Sequence, residues 1–264
     1  MKNKKTYDLY VSLGAACSCT GTLRARDLQH YSYPFDWLYG STLPERVNIL
    51  VNDFKDWINK EDLEYVGNRL EPEPCDIYAN KRTGIVFNHD FPLEVPLDDS
   101  WTSVNEKYTR RIERLLEQIQ TSNNVLFVYM ETPAQQDVLD NNSLQEIHKT
   151  LKNRFPETNI DILYIYNSNN ISYKAKKIIE CSKNITVVSF DYNGYVQNQP
   201  WAINKSQTVK LFKNYKITGK HLSRKAKLKK CLKNIFSVKN KYTGKGKYKI
   251  VKILGRKISL KWNR

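Results

Sequence analysis

The chain of 264 residues is poor in several things at once, with 10 glycines, 9 prolines, 2 methionines and 4 histidines. It also lacks any run approaching the roughly 18 uninterrupted apolar residues of a membrane span, so membrane contact is expected to be peripheral. Its five cysteines, at 17, 19, 75, 181 and 231, are odd in number and scattered through a chain too large to need staples. That usage points to reduced thiols and a cytoplasmic address. Cys17-x-Cys19 lacks the spacing of a metal pair and no second pair answers it, so no metal site is expected. The basic start Met1-Lys2-Asn3-Lys4-Lys5 leads into an apolar run that Asp8 interrupts, so no secretion leader is expected either.

Acidic residues are missing from the end. Residues 205–264 hold 21 of the 43 Lys and Arg and no Asp or Glu, leaving 22 basic side chains against 27 acidic ones in the first 204. The net charge of +16 therefore comes from the end of the chain, which argues against a uniformly basic nucleic-acid-binding domain. The expected organisation is a domain over 1–204, a helical connection over 205–222 and a basic amphipathic tail over 223–264.

What is present begins with Tyr7-Asp8-Leu9-Tyr10-Val11-Ser12-Leu13, a strand by its β-branched and aromatic content, which breaks at Gly14. The proline-free stretch from Cys17 to Leu28 then reads as a helix, with Cys17 in its first turn. Unpaired N–H groups and the positive end of the macrodipole there favour an anion, the setting that lowers a cysteine pKa. The simpler reading is a small apolar cysteine packed under a strand-to-helix corner. Thr42-Leu43-Pro44-Glu45 has the form of a capping box and predicts a helix to about Val51. Gly84 to Asn88 reads as a short strand ending at His89, and Val104, Tyr108, Ile112, Leu115, Leu116 and Ile119 share one face of a long helix. Strands at Val125–Met130, Ile160–Tyr166 and Ile185–Phe190 alternate with helices at about Leu144–Phe155 and Tyr173–Cys181. Their continuous apolar character predicts an α/β fold: a layered, mostly parallel sheet with helices on both faces and a basic C-terminal appendage. Strand C-termini would then place Gly14, Cys17 and His89 on one edge.

Two polar groups interrupt apolar segments elsewhere: Asp36 in Tyr33-Pro34-Phe35-Asp36-Trp37 and His89 in Phe87-Asn88-His89-Asp90-Phe91. A nucleophile, a base and an orienting carboxylate are what thiol-mediated acyl transfer requires. Asp36 could equally anchor a turn between aromatics, and His89 could bond a loop.

Ser-Leu-Gly-x-x-Cys at 12–17, Tyr-Pro-Phe-Asp-Trp at 33–37 and His-Asp-Phe at 89–91 resemble the markers of an uncharacterised bacterial family conventionally called papain-like cysteine peptidases. The resemblance spans roughly residues 5 to 200 and implies Cys17 as nucleophile, His89 as base and Asp36 as orienting acid, with Asp90 as substitute. Gly14 and Asp90 would help to form the binding site. Two features depart from a literal peptidase. Ala16 stands where many relatives carry asparagine, removing a side-chain oxyanion donor and leaving backbone N–H groups near residues 15–18 for that role. A papain domain would also carry its cysteine on a long helix against a barrel-like half, with histidine and asparagine far downstream. The Gly-x-x-Cys turn is similar to that of SGNH hydrolases and of coenzyme-A-using acetyltransferases of capsule synthesis, which implies no cofactor beyond coenzyme A as an acyl donor.

In the tail, Leu228, Leu232, Ile235 and Phe236 make an apolar stripe on a helix otherwise faced with lysine, the pattern of an interfacial helix on anionic lipid. Residues 234–240 and 250–258 resemble a C-terminal segment of bacterial surface-glycan enzymes. The expected partners are an anionic membrane at its cytoplasmic face and a glycan or acyl substrate. Nucleic acid is not expected, since no readout module accompanies the charge. The competing reading is a non-catalytic or glycosyltransferase-associated domain of a surface-glycan locus, although Asp98-Asp99 does not make an Asp-x-Asp metal motif.

Overall fold

The structure, a computed structural model, describes residues 5–132, 138–168, 170–172, 174–192, 204–222, 227–228, 236–243, 246–253 and 256–262. The elements of the first unit begin with strands β1 (Lys5–Tyr7) and β2 (Leu9–Ser12), helix α1 (Cys17–Ala25), strand β3 (Leu38–Tyr39) and helix α2 (Leu43–Val51). Next come β4 (Leu63–Arg69), β5 (Cys75–Asn80), β6 (Val86–Pro92), α3 (Leu97–Thr121), β7 (Asn124–Met130) and α4 (Asn141–Arg154). The unit ends with β8 (Asn159–Asn167), β9 (Lys177–Ser182), β10 (Ile185–Phe190), α5 (Lys205–Phe212) and β11 (Tyr215–Ile217). It spans residues 1–218, and residues 219–264 form a second unit. The segment 205–222, expected as a helical connection, thus gives α5 and β11 to the first unit.

The main sheet has the order β2-β7-β8-β10-β9, parallel except for β9, which pairs antiparallel with β10. Its central strands are apolar on both sides because alternate residues join different cores. Val125, Phe127, Tyr129, Ile160, Ile162 and Tyr164 pack with Leu43 and Leu50 of α2, Tyr108 and Leu115 of α3, and Leu144 and Leu151 of α4. Leu126, Val128, Met130, Leu163 and Ile165 pack with Cys19 and Leu23 of α1 and Leu211 and Phe212 of α5. Each such fully buried side chain contributes about 1.5–3 kcal/mol.

Asp8, which interrupts the first apolar run, divides β1 from β2. Its carboxylate accepts from Asn123 N and Thr218 Oγ1, both at 2.8 Å, and its N–H donates to Asn124 O. Beyond this splice β1 pairs in parallel with β11. At α2 the capping box is present, with Thr42 N–H donating to Glu45 Oε2 at 2.6 Å.

Three expectations are corrected. The expected helix over Tyr173–Cys181 is instead, from Lys177 to Ser182, the edge strand β9; Tyr173 itself lies outside the described residues. The adjacent β-branched Ile178 and Ile179 suit a strand, and Lys183-Asn184 turns it back along β10. Second, Gly84–Asn88 is not a strand of the parallel sheet. The strand runs Val86–Pro92, with His89 in its middle, inside a separate antiparallel sheet of order β3-β6-β5-β4. Phe87, Phe91 and Tyr78 of that sheet bury one side against Trp57 and Tyr108, whereas Tyr65 and Val66 of β4 are exposed.

The third correction concerns the tail. Lys227 and Leu228 are helical, with Leu228 exposed; Leu232 and Ile235 lie outside the described residues; Phe236 belongs to a strand rather than to that helix. The second unit contains β12 (Phe236–Thr243), β13 (Gly246–Ile253) and β14 (Arg256–Trp262), joined antiparallel in that order. Their register places Phe236, Val238, Tyr242, Val251, Ile253, Ile258, Leu260 and Trp262 on one face, together with Lys247, Lys249 and Arg256. Lys239, Lys241, Lys252, Lys257 and Lys261 fall on the other.

Candidate active site

Strand pairing delivers Cys17 to its place. Leu13 N–H donates to Val128 O and Ala15 N–H to Met130 O, so the backbone follows β7 for a few residues beyond β2 before α1 starts. Gly14 lets the turn close: a Cβ there would lie 2.3 Å from Cys19 Cβ. This is a packing role, and Gly14 does not line the cleft described below. Ala16 caps α1 in an extended conformation with no side-chain bond, and Cys17 is the first helical residue. Because Ala15 N–H is spent on β7, the donors of residues 15–18 left for an oxyanion are those of Ala16, Cys17 and Ser18, and the last two have no acceptor inside the helix.

The thiol does not have the lowered pKa expected at this helix start. Burial pushes Cys17 up, outweighing the opposite pull of its own N–H and of the Arg69 guanidinium. Desolvation wins because Cys17 is mostly buried, beside a cleft to which Ala16, Trp37, Leu38 and Pro72 give apolar surface, and a thiolate there would lose much of its water.

Asp36 is fully buried and does not reach His89. Its carboxylate accepts from Thr20 Oγ1 (2.8 Å), Gln29 Nε2 (2.6 Å) and Tyr33 N–H (2.9 Å), with Arg24 Nη2 at 3.9 Å. Burial raises its pKa against these donors. Asp36 thus ties α1, through Thr20, to the aromatic loop, and so positions Cys17. Its neighbours in the loop diverge: Phe35 enters the core beside Phe54 and Trp57, while Trp37 turns towards His89, ring centroids 6.4 Å apart.

His89 Nδ1 lies 3.1 Å from Arg69 Nη2 and 3.3 Å from Glu73 Oε2. Asp90 is committed elsewhere: Lys107 Nζ (2.6 Å) and Tyr108 Oη (2.8 Å) both donate to it, fastening α3 to β6. It neither orients His89 nor lines the cleft. Glu73 holds the place next to the imidazole that was expected of Asp36 or Asp90. Arg69 and Glu73 carry no motif, and only the β4–β5 hairpin, unrecognised in the sequence, brings them to His89.

Cys17 and His89, carried by different sheets' elements, open onto one cleft of about 550 Å³. Ala16 and Cys17 form its helix side, Trp37, Leu38 and Tyr39 its aromatic wall, Arg69, Glu71 and Pro72 its hairpin wall, and Asn88 and His89 its β6 side. No hydrogen bond joins Cys17 to His89 among the described residues. Nor do those residues include a group of three or more His, Cys, Asp or Glu able to hold a metal ion. No helix among them is long and apolar enough to cross a membrane.

Fold and cleft define a mixed α/β domain that presents a cysteine and a histidine to a shared, partly aromatic site. Residues 8–170 match the family described as "Putative papain-like cysteine peptidase", and the chain belongs to that family. It is also similar to the uncharacterized protein R408 of Acanthamoeba polyphaga mimivirus, 25% identical over 204 residues, covering 71% of this chain and 90% of the viral protein. No solved structure matches.

Proposed function

We propose that the chain is a thiol-dependent acyl-transfer enzyme, a hydrolase or acyltransferase, with Cys17 as nucleophile and His89 as base. The observation that carries this reading is the shared cleft, in which a helix-start cysteine and a histidine face the same space. Cys17 Sγ bonds to the carbonyl carbon of the substrate while its proton passes to His89. The carbonyl electron pair moves to oxygen, beside the N–H groups of Cys17 and Ser18. Collapse expels the leaving group, which takes the proton from His89 and leaves a thioester. Water or a glycan hydroxyl then attacks, giving its proton to His89, and the acyl group departs as the thiol is restored. Cys17 and His89 come within hydrogen-bond reach when substrate binds, as catalytic pairs commonly do.

One experiment tests this. Wild type and Cys17→Ala are incubated with acyl-coenzyme A donors and with peptide esters, each class including members with a carboxylate close to the carbonyl, and intact mass is measured. A wild-type adduct of one acyl group, absent from the variant, is the expected result. No wild-type-specific adduct with either donor class would overturn the reading. A second reading, a non-catalytic domain, draws support from the raised Cys17 thiol and its lack of a bond to His89, and it predicts that negative outcome.

The setting we propose is the cytoplasmic face of a membrane, in surface-polysaccharide assembly. The C-terminal sheet supports the membrane contact in this proposal: apolar positions share a face with Lys247, Lys249 and Arg256, and Ile258 on that face is 48% exposed. Anionic lipid suits such a face, since headgroups meet the cations while the apolar positions enter the interface.

A further inference from the structure

Two groups make opposite demands on His89 Nδ1. Arg69 Nη2, 3.1 Å away, carries only hydrogens and can bond Nδ1 only where Nδ1 is a lone-pair acceptor. Glu73 Oε2, 3.3 Å away, offers only lone pairs when ionised and can bond Nδ1 only where Nδ1 is a donor. A neutral imidazole has one ring proton, so the two bonds exclude each other. When Arg69 bonds Nδ1, the proton sits on Nε2 and the ring has no lone pair to take the Cys17 proton. With Glu73 as partner the proton sits on Nδ1, and Nε2 becomes a base.

Arg69 lies beside both competing groups, its Nη2 also 3.7 Å from Glu73 Oε2. Its Nε and Nη2 donate to Glu73 O at 3.0 and 2.9 Å, and its charge reaches Cys17. Its Nη1 hydrogens have no protein acceptor among the described residues, and the residue lines the cleft. A guanidinium with free N–H groups beside a nucleophile matches the two oxygens of a carboxylate better than any neutral group.

We propose that the substrate carries a carboxylate close to its reactive carbonyl, and that this carboxylate draws Arg69 off His89 and hands Nδ1 to Glu73. The residue that recognises the substrate is then the one that holds the base inactive without it. This inference rests on the assignment of Cys17 and His89 as nucleophile and base.

Iodoacetate and iodoacetamide test it, since they alkylate the same thiol and differ in one carboxylate. Their rate ratio at a fixed pH cancels the thiolate fraction, which loss of the Arg69 charge also lowers. The expected result is an iodoacetate-to-iodoacetamide ratio at Cys17 about tenfold lower in Arg69→Gln than in wild type, a change worth one charge-assisted contact. Arg69→Lys, which keeps the charge without the fork, should also fall.

A second measurement needs no variant of Arg69. In histidine-¹⁵N-labelled wild type, His89 should carry its proton on Nε2 both unmodified and after carbamidomethylation of Cys17, and on Nδ1 after carboxymethylation. An unchanged rate ratio in Arg69→Gln together with one tautomer in all three samples would overturn the inference and leave the nucleophile assignment standing. Failure of both reagents to modify Cys17 ahead of the other cysteines would overturn both.

Discussion

Replacing Asp36 by alanine separates a clamp from a catalytic acid. The carboxylate is 0% exposed and accepts three hydrogen bonds, from α1, from Gln29 and from the loop backbone at Tyr33. Bonds to a charged acceptor contribute about 1.5–3 kcal/mol each, but the charge they serve is costly to bury, so the two terms offset. What alanine leaves is three buried donors with nothing to bond, and a net loss of about 3 kcal/mol follows. Asp36→Asn keeps one acceptor oxygen but turns an NH₂ towards existing donors, for a smaller loss of about 1–2 kcal/mol.

The sign of the pH dependence is fixed by burial, which raises the carboxyl above its usual range. The folded state then binds the proton more tightly than the unfolded state, so this group's contribution is greatest at low pH and declines as pH climbs through the raised value. Asn lacks that slope, and its deficit against wild type should be larger near pH 4 than at pH 7. Urea unfolding followed by circular dichroism measures both quantities. Alkylation of Cys19, 0% exposed on α1, should accelerate about a hundredfold in Asp36→Ala as the helix opens. A variant within about 0.5 kcal/mol of wild type that has nonetheless lost acylation at Cys17 would refute the clamp and return Asp36 to the chemistry.

Two further outcomes are expected. Gly14→Ala puts a Cβ 2.3 Å from Cys19 Cβ, which cannot swing aside, so α1 must shift; a loss of at least about 2 kcal/mol in thermal unfolding is expected, and an unchanged Tm would show that the turn is slack. Changing Lys247, Lys249 and Arg256 together to Gln should reduce co-sedimentation with phosphatidylserine vesicles by about 3 kcal/mol of binding, near two orders of magnitude, and equal sedimentation of variant and wild type would sink the membrane setting.

How much was legible in the chain followed from burial. Strands buried on both faces announce themselves as continuous apolar runs, and β7, β8 and β10 stand within a residue of where those runs predict them. The second sheet is covered on one side only, and bulges at Tyr65/Gly67 and Asp76/Tyr78 break its alternation. Neither β4 nor β5 therefore shows the two-residue period that would reveal it. That loss hid Arg69 and Glu73, whose meaning depends wholly on hairpin pairing. In β9 a lysine-rich segment imitates a helical face, and the β-branched pair Ile178-Ile179 was the better signal.

Each of the three quoted motifs divides its residues among separate tasks, which is why adjacency in sequence misassigned the acid. In the first, Gly14 packs the turn and Cys17 faces the cleft; in the second, Phe35 fills the core, Asp36 clamps α1 and Trp37 meets His89; in the third, His89 faces the cleft while Asp90 holds α3. A carboxylate enclosed by three donors from α1 and its own loop has no lone pair aimed at a histidine across the cleft, however well its motif is spaced. Glu73, three-quarters exposed by its side chain, has only Arg69 Nη2 at 3.7 Å and His89 Nδ1 at 3.3 Å beside its carboxylate, and so stays available to the imidazole. The pairing resembles papain in its cysteine and histidine alone. Here the cysteine stands on a nine-residue helix after a parallel strand, and the histidine stands on an antiparallel strand of another sheet.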